Sequence, residues 1–201
     1  LLPYLEGDKT YRGVVQLGLS TVSDDLEGEV LARFAVPALV ASDLEAALAA
    51  FRGTIDQVPP QVSAVHVEGQ RAYALVRQGE QVELAPRAVT IQRLELLGWD
   101  AATARLELLV HCSAGTYIRS LARDLGEALG CGGALARLRR TEALGFGLKQ
   151  AVPLEALDQA PLPDLLNPLA ALGHLPQRQL LDAELEGWRC GRALDHGLSL
   201  E

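Results

Sequence analysis

The chain has 201 residues, 49% hydrophobic and 22% charged, a balance that suits one soluble domain with a sizeable core, or one domain and the start of another. No apolar run reaches the roughly 18–20 residues a membrane helix needs, and neither end carries a targeting pattern. A net charge of −8 argues against a polyanionic partner. Three cysteines without a CxxC spacing argue against a metal site or a disulfide framework and point to a reducing, cytoplasmic setting.

In chain order, KTYRGVVQLGL at 9–19 mixes β-branched and polar residues like a strand, and TVSDDLEGEV at 21–30 reads as a loop. Asp24, Asp25, Glu27 and Glu29 make that loop acidic and solvated. Ser42 with Glu45 three residues on predicts a capping box, with a helix over 43–51 closed by Gly53. QVPPQVSA at 57–64 is a proline-stiffened extended segment. A short helix over 70–78 ends at Gly79, and 88–97 reads as a strand. TARLELLVHC at 103–112 puts Leu106, Leu108, Val110 and Cys112 on one buried face of a strand. Ile118, Leu121, Ala122, Leu125 and Leu129 follow at helical spacing, with Thr116 placed as the cap and Gly130, Gly132 and Gly133 as the stop. A short helix over 134–140 and a strand near 141–149 come next. Loops and short helices fill 151–175, and 182–191 reads as a last helix. Strands and helices without regular βαβ alternation favour an α+β fold with a largely antiparallel sheet.

The charge is uneven. Residues 112–150 hold six basic side chains (Arg119, Arg123, Arg137, Arg139, Arg140, Lys149) against three acidic ones, net +3. That strip is either where a polyanion docks or a solvated, salt-bridged helix pair. His111, Cys112 and Ser113 invite a nucleophile reading, yet strand neighbours point to opposite faces, so His111 is no base for Cys112. Cys112 sits on the apolar face, and Ser113 lacks a GxSxG elbow. The Gly115–Thr116 turn is either a phosphate-binding helix start or a plain turn and cap. Arg119 lies in the first turn of its helix, where the macrodipole opposes a cation, so either an anion holds it or it is a solvated surface arginine. Arg123 and Arg137 are open to the same surface reading.

Four blocks then resemble one family. KTYRG at 9–13, QVPPQVSAVHVEGQRAYALVRQGEQVEL at 57–84, CSAGTYIRSLARDLGEALGCGGAL at 112–135 and LRRTEALGF at 138–146 look like the bacterial TruB-type tRNA pseudouridine synthases. The resemblance runs from residue 1 to about 175. It implies the pseudouridine synthase fold, a mixed, largely antiparallel sheet flanked by helices. The implied reaction is isomerisation of uridine 55 in the tRNA T loop, with no cofactor or metal and with the base flipped out of its stack. Tyr11 then matches the tyrosine that stacks on the target base and is proposed to help remove its C5 proton. Arg119 matches the arginine that pairs with the catalytic aspartate. Tyr117 and Leu138 match positions lining the uracil pocket, and Arg137, Arg139 and Arg140 are expected to bind the tRNA.

The departures carry expectations too. The family's aspartate lies in a GTLDP-type motif a few tens of residues before KTYR, and only ten residues precede Tyr11 here. With no methionine, the chain reads as a fragment that is inactive alone. His66 stands where the family usually has a lysine, and Ala114 replaces another in CSKGTY. Residues 1–175 are expected to form the catalytic domain. Residues 176–201 would be a linker and the start of a small PUA-like C-terminal domain. The expected partner is the tRNA T-arm stem-loop, with no membrane, and the expected state is a monomer. A non-catalytic tRNA-binding module of the same fold, or an acidic α+β protein binding a small anion through Arg119, are the alternative readings.

Overall fold

Residues 7–67, 69–77 and 82–193 are described by the computed structural model. Their centre is a six-stranded sheet. Its strands are β1 (Lys9–Leu17), β4 (Gly53–Gln57), β7 (Arg87–Asp100), β8 (Arg105–Cys112), β9 (Gly133–Ala143) and β10 (Phe146–Gly147), in the order β10-β9-β1-β8-β7-β4. Every pairing in it is antiparallel. Two small ribbons stand apart, β2 (Leu19–Thr21) with β3 (Val30–Arg33) and β5 (His66–Val67) with β6 (Gln70–Arg71). The expected α+β class is therefore the observed one.

Alternation along the strands builds the core. On β1, Tyr11, Gly13, Val15 and Leu17 face inward, and on β8 so do Leu106, Leu108, Val110 and Cys112. Helices α1 (Ala41–Ala49) and α3 (Ile118–Ala128) cover that face, with Leu44, Leu48, Leu121 and Leu125 each almost wholly buried. Each such leucine contributes about 1.5–3 kcal/mol of burial. The helix α2 (Ala72–Arg77) belongs to a smaller cluster of Val65, Ala72, Val82 and Leu84. The Gly79 expected to end it lies outside the described residues.

Three sequence expectations are corrected. Residues 134–140 are not a helix but the middle of β9, paired with β1 along its length. Ser42 lies inside α1, whose cap residue is Val40, and it is Asp43 that accepts the Val40 N–H at 3.0 Å; Glu45 instead meets Arg52 at 2.7 Å. Thr116 does not cap α3, since the cap position is Tyr117 and no side chain of its own bonds there.

The chain divides into compact units Leu1–Asp164 and Leu165–Glu201. The second holds a 3-10 turn, Pro168–Leu172, capped by the Asn167 side chain, and α4 (Asp182–Arg189). Among the described residues no helix is long and apolar enough to cross a membrane.

Helix α3 ends by laying its backbone on the strand that follows. A Cβ on Gly126 would lie 2.1 Å from the Gly133 nitrogen and 2.2 Å from the Gly132 carbonyl carbon. Both neighbours are backbone and cannot rotate away. Gly126→Ala is therefore expected to destabilise the fold by about 3 kcal/mol or more, read from urea unfolding. A loss below about 1 kcal/mol would contradict this close packing.

Candidate active site

The turn that leaves β8 and enters α3 is fixed from a distance. Gln57, at the end of β4 and 2% exposed, donates from Nε2 to the Tyr117 carbonyl at 3.1 Å and accepts the Tyr117 N–H on Oε1 at 2.8 Å. One buried amide thus satisfies both backbone groups of Tyr117, the residue ahead of the helix. The Tyr117 side chain packs against the smaller cluster around Val65 and Leu84.

Arg119 follows two residues later and is held on three sides. Its Nη1 donates to the Ser23 carbonyl at 3.0 Å and to Asp25 Oδ2 at 3.3 Å, and its Nη2 donates to the Val62 carbonyl at 2.9 Å. One helical turn on, Arg123 donates from Nη1 to Asp24 Oδ2 at 2.8 Å, from Nη2 to the Val58 carbonyl at 2.8 Å, and from Nε to Asp124. The acidic stretch expected to be solvated is therefore corrected at Asp24 and Asp25. Asp24 is 9% exposed, and both carboxylates are drawn in by two arginines four positions apart. Asp25 also forms a bridge with Leu135 of β9, flanked by backbone bonds from Leu26 to Leu135 and from Leu135 to Asp24. A cavity of about 400 Å³ opens beside the pair, walled by Val22, Ser23, Asp25, Glu29, Val62 and Arg119.

A guanidinium has five N–H donors. Arg119 spends two on Nη1 and one on Nη2, which leaves Nε–H and one Nη2–H without a partner among the described residues. That is capacity for a further carboxylate or phosphate.

Strand pairing sorts the remaining site residues by face. Tyr11 pairs with Arg140 and Gly13 with Leu138, so Tyr11, Leu138 and Arg140 share the face that α3 covers. Arg137 pairs with Val14 and Arg139 with Arg12, on the opposite face. There Arg137 borders an open cleft of about 520 Å³ with Val14, Trp99, Arg105 and Glu107. The three β9 arginines expected to act together are thus split, one beside Tyr11 and two behind the sheet.

The residues before the turn behave as strand residues. Cys112 is fully buried and burial pushes its thiol up, while Ser113 Oγ accepts the Thr90 N–H at 3.0 Å. His111 faces the other way, 2.9 Å from Thr10 Oγ1 through Nδ1. Among the described residues of this stretch, no hydroxyl or thiol meets an imidazole except Thr10, which lies on the outer face of the sheet.

The sequence and the fold match known proteins. Residues 1–118 match the TruB family pseudouridylate synthase (N terminal domain), and 119–169 match the tRNA pseudouridylate synthase B C-terminal domain. The chain belongs to the TruB family. It is 65% identical over 194 residues to the tRNA pseudouridine synthase B of Parasynechococcus marenigrum, covering 96% of this chain and 66% of the relative. It is 59% identical over 209 residues to that of a Synechococcus species, covering 100% of this chain and 69% of the relative. The chain thus spans about two thirds of the length of these curated relatives. Among solved structures, a Cbf5–Nop10–Gar1 complex shares the fold, with a TM-score of 0.54 at 24% identity, over 76% of this chain and 36% of that one.

Asp24 gives this TruB-family site a pH signature. Burial pushes the Asp24 carboxyl above its ordinary value of 3.8, and the adjacent Arg123 only partly offsets this. A raised folded value means that stability from Asp24 is fully present below its unfolded value and is lost as pH rises through the folded one. Asp24→Asn is therefore expected to remove a part of the unfolding free energy that is lost as pH rises across the carboxylate range, upward from the ordinary value of 3.8. An unchanged fall, measured by urea unfolding across that range, would contradict the assignment.

Proposed function

We propose that the protein isomerises uridine to pseudouridine in tRNA, at position 55 of the T loop. The observation that carries this reading is the state of Arg119. It is anchored by Asp25 and two carbonyls, and two of its donors have no partner among the described residues, which suits one more carboxylate. Membership of the TruB family and relatives named tRNA pseudouridine synthase B support the same substrate class.

In this scheme the carboxylate Arg119 receives belongs to the family's GTLDP-type motif. An aspartate paired to a guanidinium stays ionised and aimed, which is what a nucleophile at the nucleoside requires. The carboxylate bonds C1′ as the C1′–N1 bond breaks, C5 of the turned uracil then displaces the carboxylate from C1′, the C5 proton leaves and a proton returns to N1, so the aspartate is regenerated. No cofactor or metal enters the balance. Tyr11 offers an aromatic face to the flipped base and lies where it can help take the C5 proton. Tyr117 and Leu138 line the uracil, and Arg140 lies beside them. Arg137 and Arg139 contact the RNA backbone from the other face of the sheet.

The same proposal takes residues 1–175 as the catalytic domain, and 176–201 as a linker and the start of a PUA-like domain. The protein acts as a monomer in the cytoplasm, a setting that suits its three free cysteines.

Two measurements test this. In protein carrying the aspartate motif ahead of this chain, Arg119→Ala is expected to lower pseudouridine formation in a T-arm stem-loop by about 100-fold or more with the fold intact. Near-normal turnover would overturn the role of Arg119. Arg137→Ala with Arg139→Ala is expected to lower the slope of log affinity against log salt by about 1.4–1.8. An unchanged slope would remove both from the footprint.

A further inference from the structure

We infer that Arg140 covers the ring of Tyr11 in the free protein and yields that place to the nucleobase, its guanidinium passing to the RNA backbone. The inference rests on the proposed RNA-modifying function and adds a gating step to the same site. Arg140 Cζ lies 5.5 Å from the centroid of the Tyr11 ring, within cation–π range. The two residues are cross-strand partners on one face of β1 and β9. Tyr11 belongs to the main core cluster and is only 8% exposed. The ring is otherwise taken up by the core, and the guanidinium lies over it. A base needs a whole ring face to stack on. As the site stands, Tyr11 cannot offer one until Arg140 moves.

Arg140 is free to move. Arg12, Arg52, Arg93, Arg119 and Arg123 each meet a carboxylate. Arg140 is exposed and has no hydrogen-bond or ion-pair partner among the described residues. Its neighbour Glu142 is directed elsewhere, accepting from Thr10 Oγ1 at 3.3 Å on the outer face. The strand register also shifts beside it. Thr10 pairs with Glu142 but Tyr11 with Arg140, so Thr141 is an extra residue that bulges the strand at this point. An exposed cation–π contact is weaker than a charge-assisted bond to phosphate, so RNA supplies the better partner for the displaced side chain.

The test follows the Arg140 side-chain Nε–H by NMR. In the free protein its proton is expected upfield of the other arginines because of the Tyr11 ring current. Tyr11→Phe retains that shift and Tyr11→Leu removes it. Saturation with a T-arm stem-loop RNA is expected to abolish it. Arg140→Gln is expected to lower the salt slope of binding by about 0.7–0.9, and Arg140→Lys to restore it. An Arg140 signal that stays upfield in the saturated complex, or is never upfield, overturns the gate while leaving RNA binding standing. Failure of the RNA to bind at all overturns the proposed function, and the gate with it.

Discussion

Arg119 and Arg123 sit one turn apart on α3 and hold two distant stretches of chain against it. The 23–25 turn meets them through Asp24, Asp25 and the Ser23 carbonyl, and the 58–62 segment through the Val58 and Val62 carbonyls. Ser120 adds a third bond to that segment, donating to the Val58 carbonyl at 2.8 Å. Removing Arg119 would leave the part-buried Ser23 and Val62 carbonyls without this donor, and removing Arg123 would strip the part-buried Asp24 carboxylate of its guanidinium, losses that cost more than the bonds themselves contribute. The cavity beside Asp25 and the position of the turn along β9 both follow from this clamp.

The sheet decides the rest of the site. Pairing of β1 with β9 brings Tyr11, Leu138 and Arg140 onto the α3 face, and Gly13 leaves room there beside Ile118 and Leu135. The same pairing sends Arg137 and Arg139 to the outer face. There arginines stand among Glu95, Glu107 and Glu142, and Arg12 pairs with Glu107 at 2.7 Å. The basic strip at 112–150 is therefore not one surface. Arg119 and Arg123 form the clamp, Arg140 lies beside Tyr11 on the α3 face, and Arg137 and Arg139 stand on the polar outer face.

Much of this was legible in the sequence because it is local. The β8 alternation and the α3 stripe are properties of short windows, and both were placed correctly. What failed depended on partners far along the chain. ALARLRR favours a helix by its own propensities, yet β1 recruits it as a strand, and tertiary pairing overrides a weak local preference. Thr116 reads as the cap from its near neighbours, whereas the turn is held by Gln57 from another strand. Asp24 and Asp25 read as solvated because their partners, two arginines one helical turn apart, lie more than ninety residues along the chain.

The central claim is that Asp25 and Arg119 are energetically one unit with donors left over, and a double-mutant cycle tests it most directly. Asp25→Asn, Arg119→Gln and the double variant would be unfolded in urea and their free energies compared. A coupling of about 1 kcal/mol or more between the two positions is the predicted result. Additivity within about 0.3 kcal/mol would contradict the account.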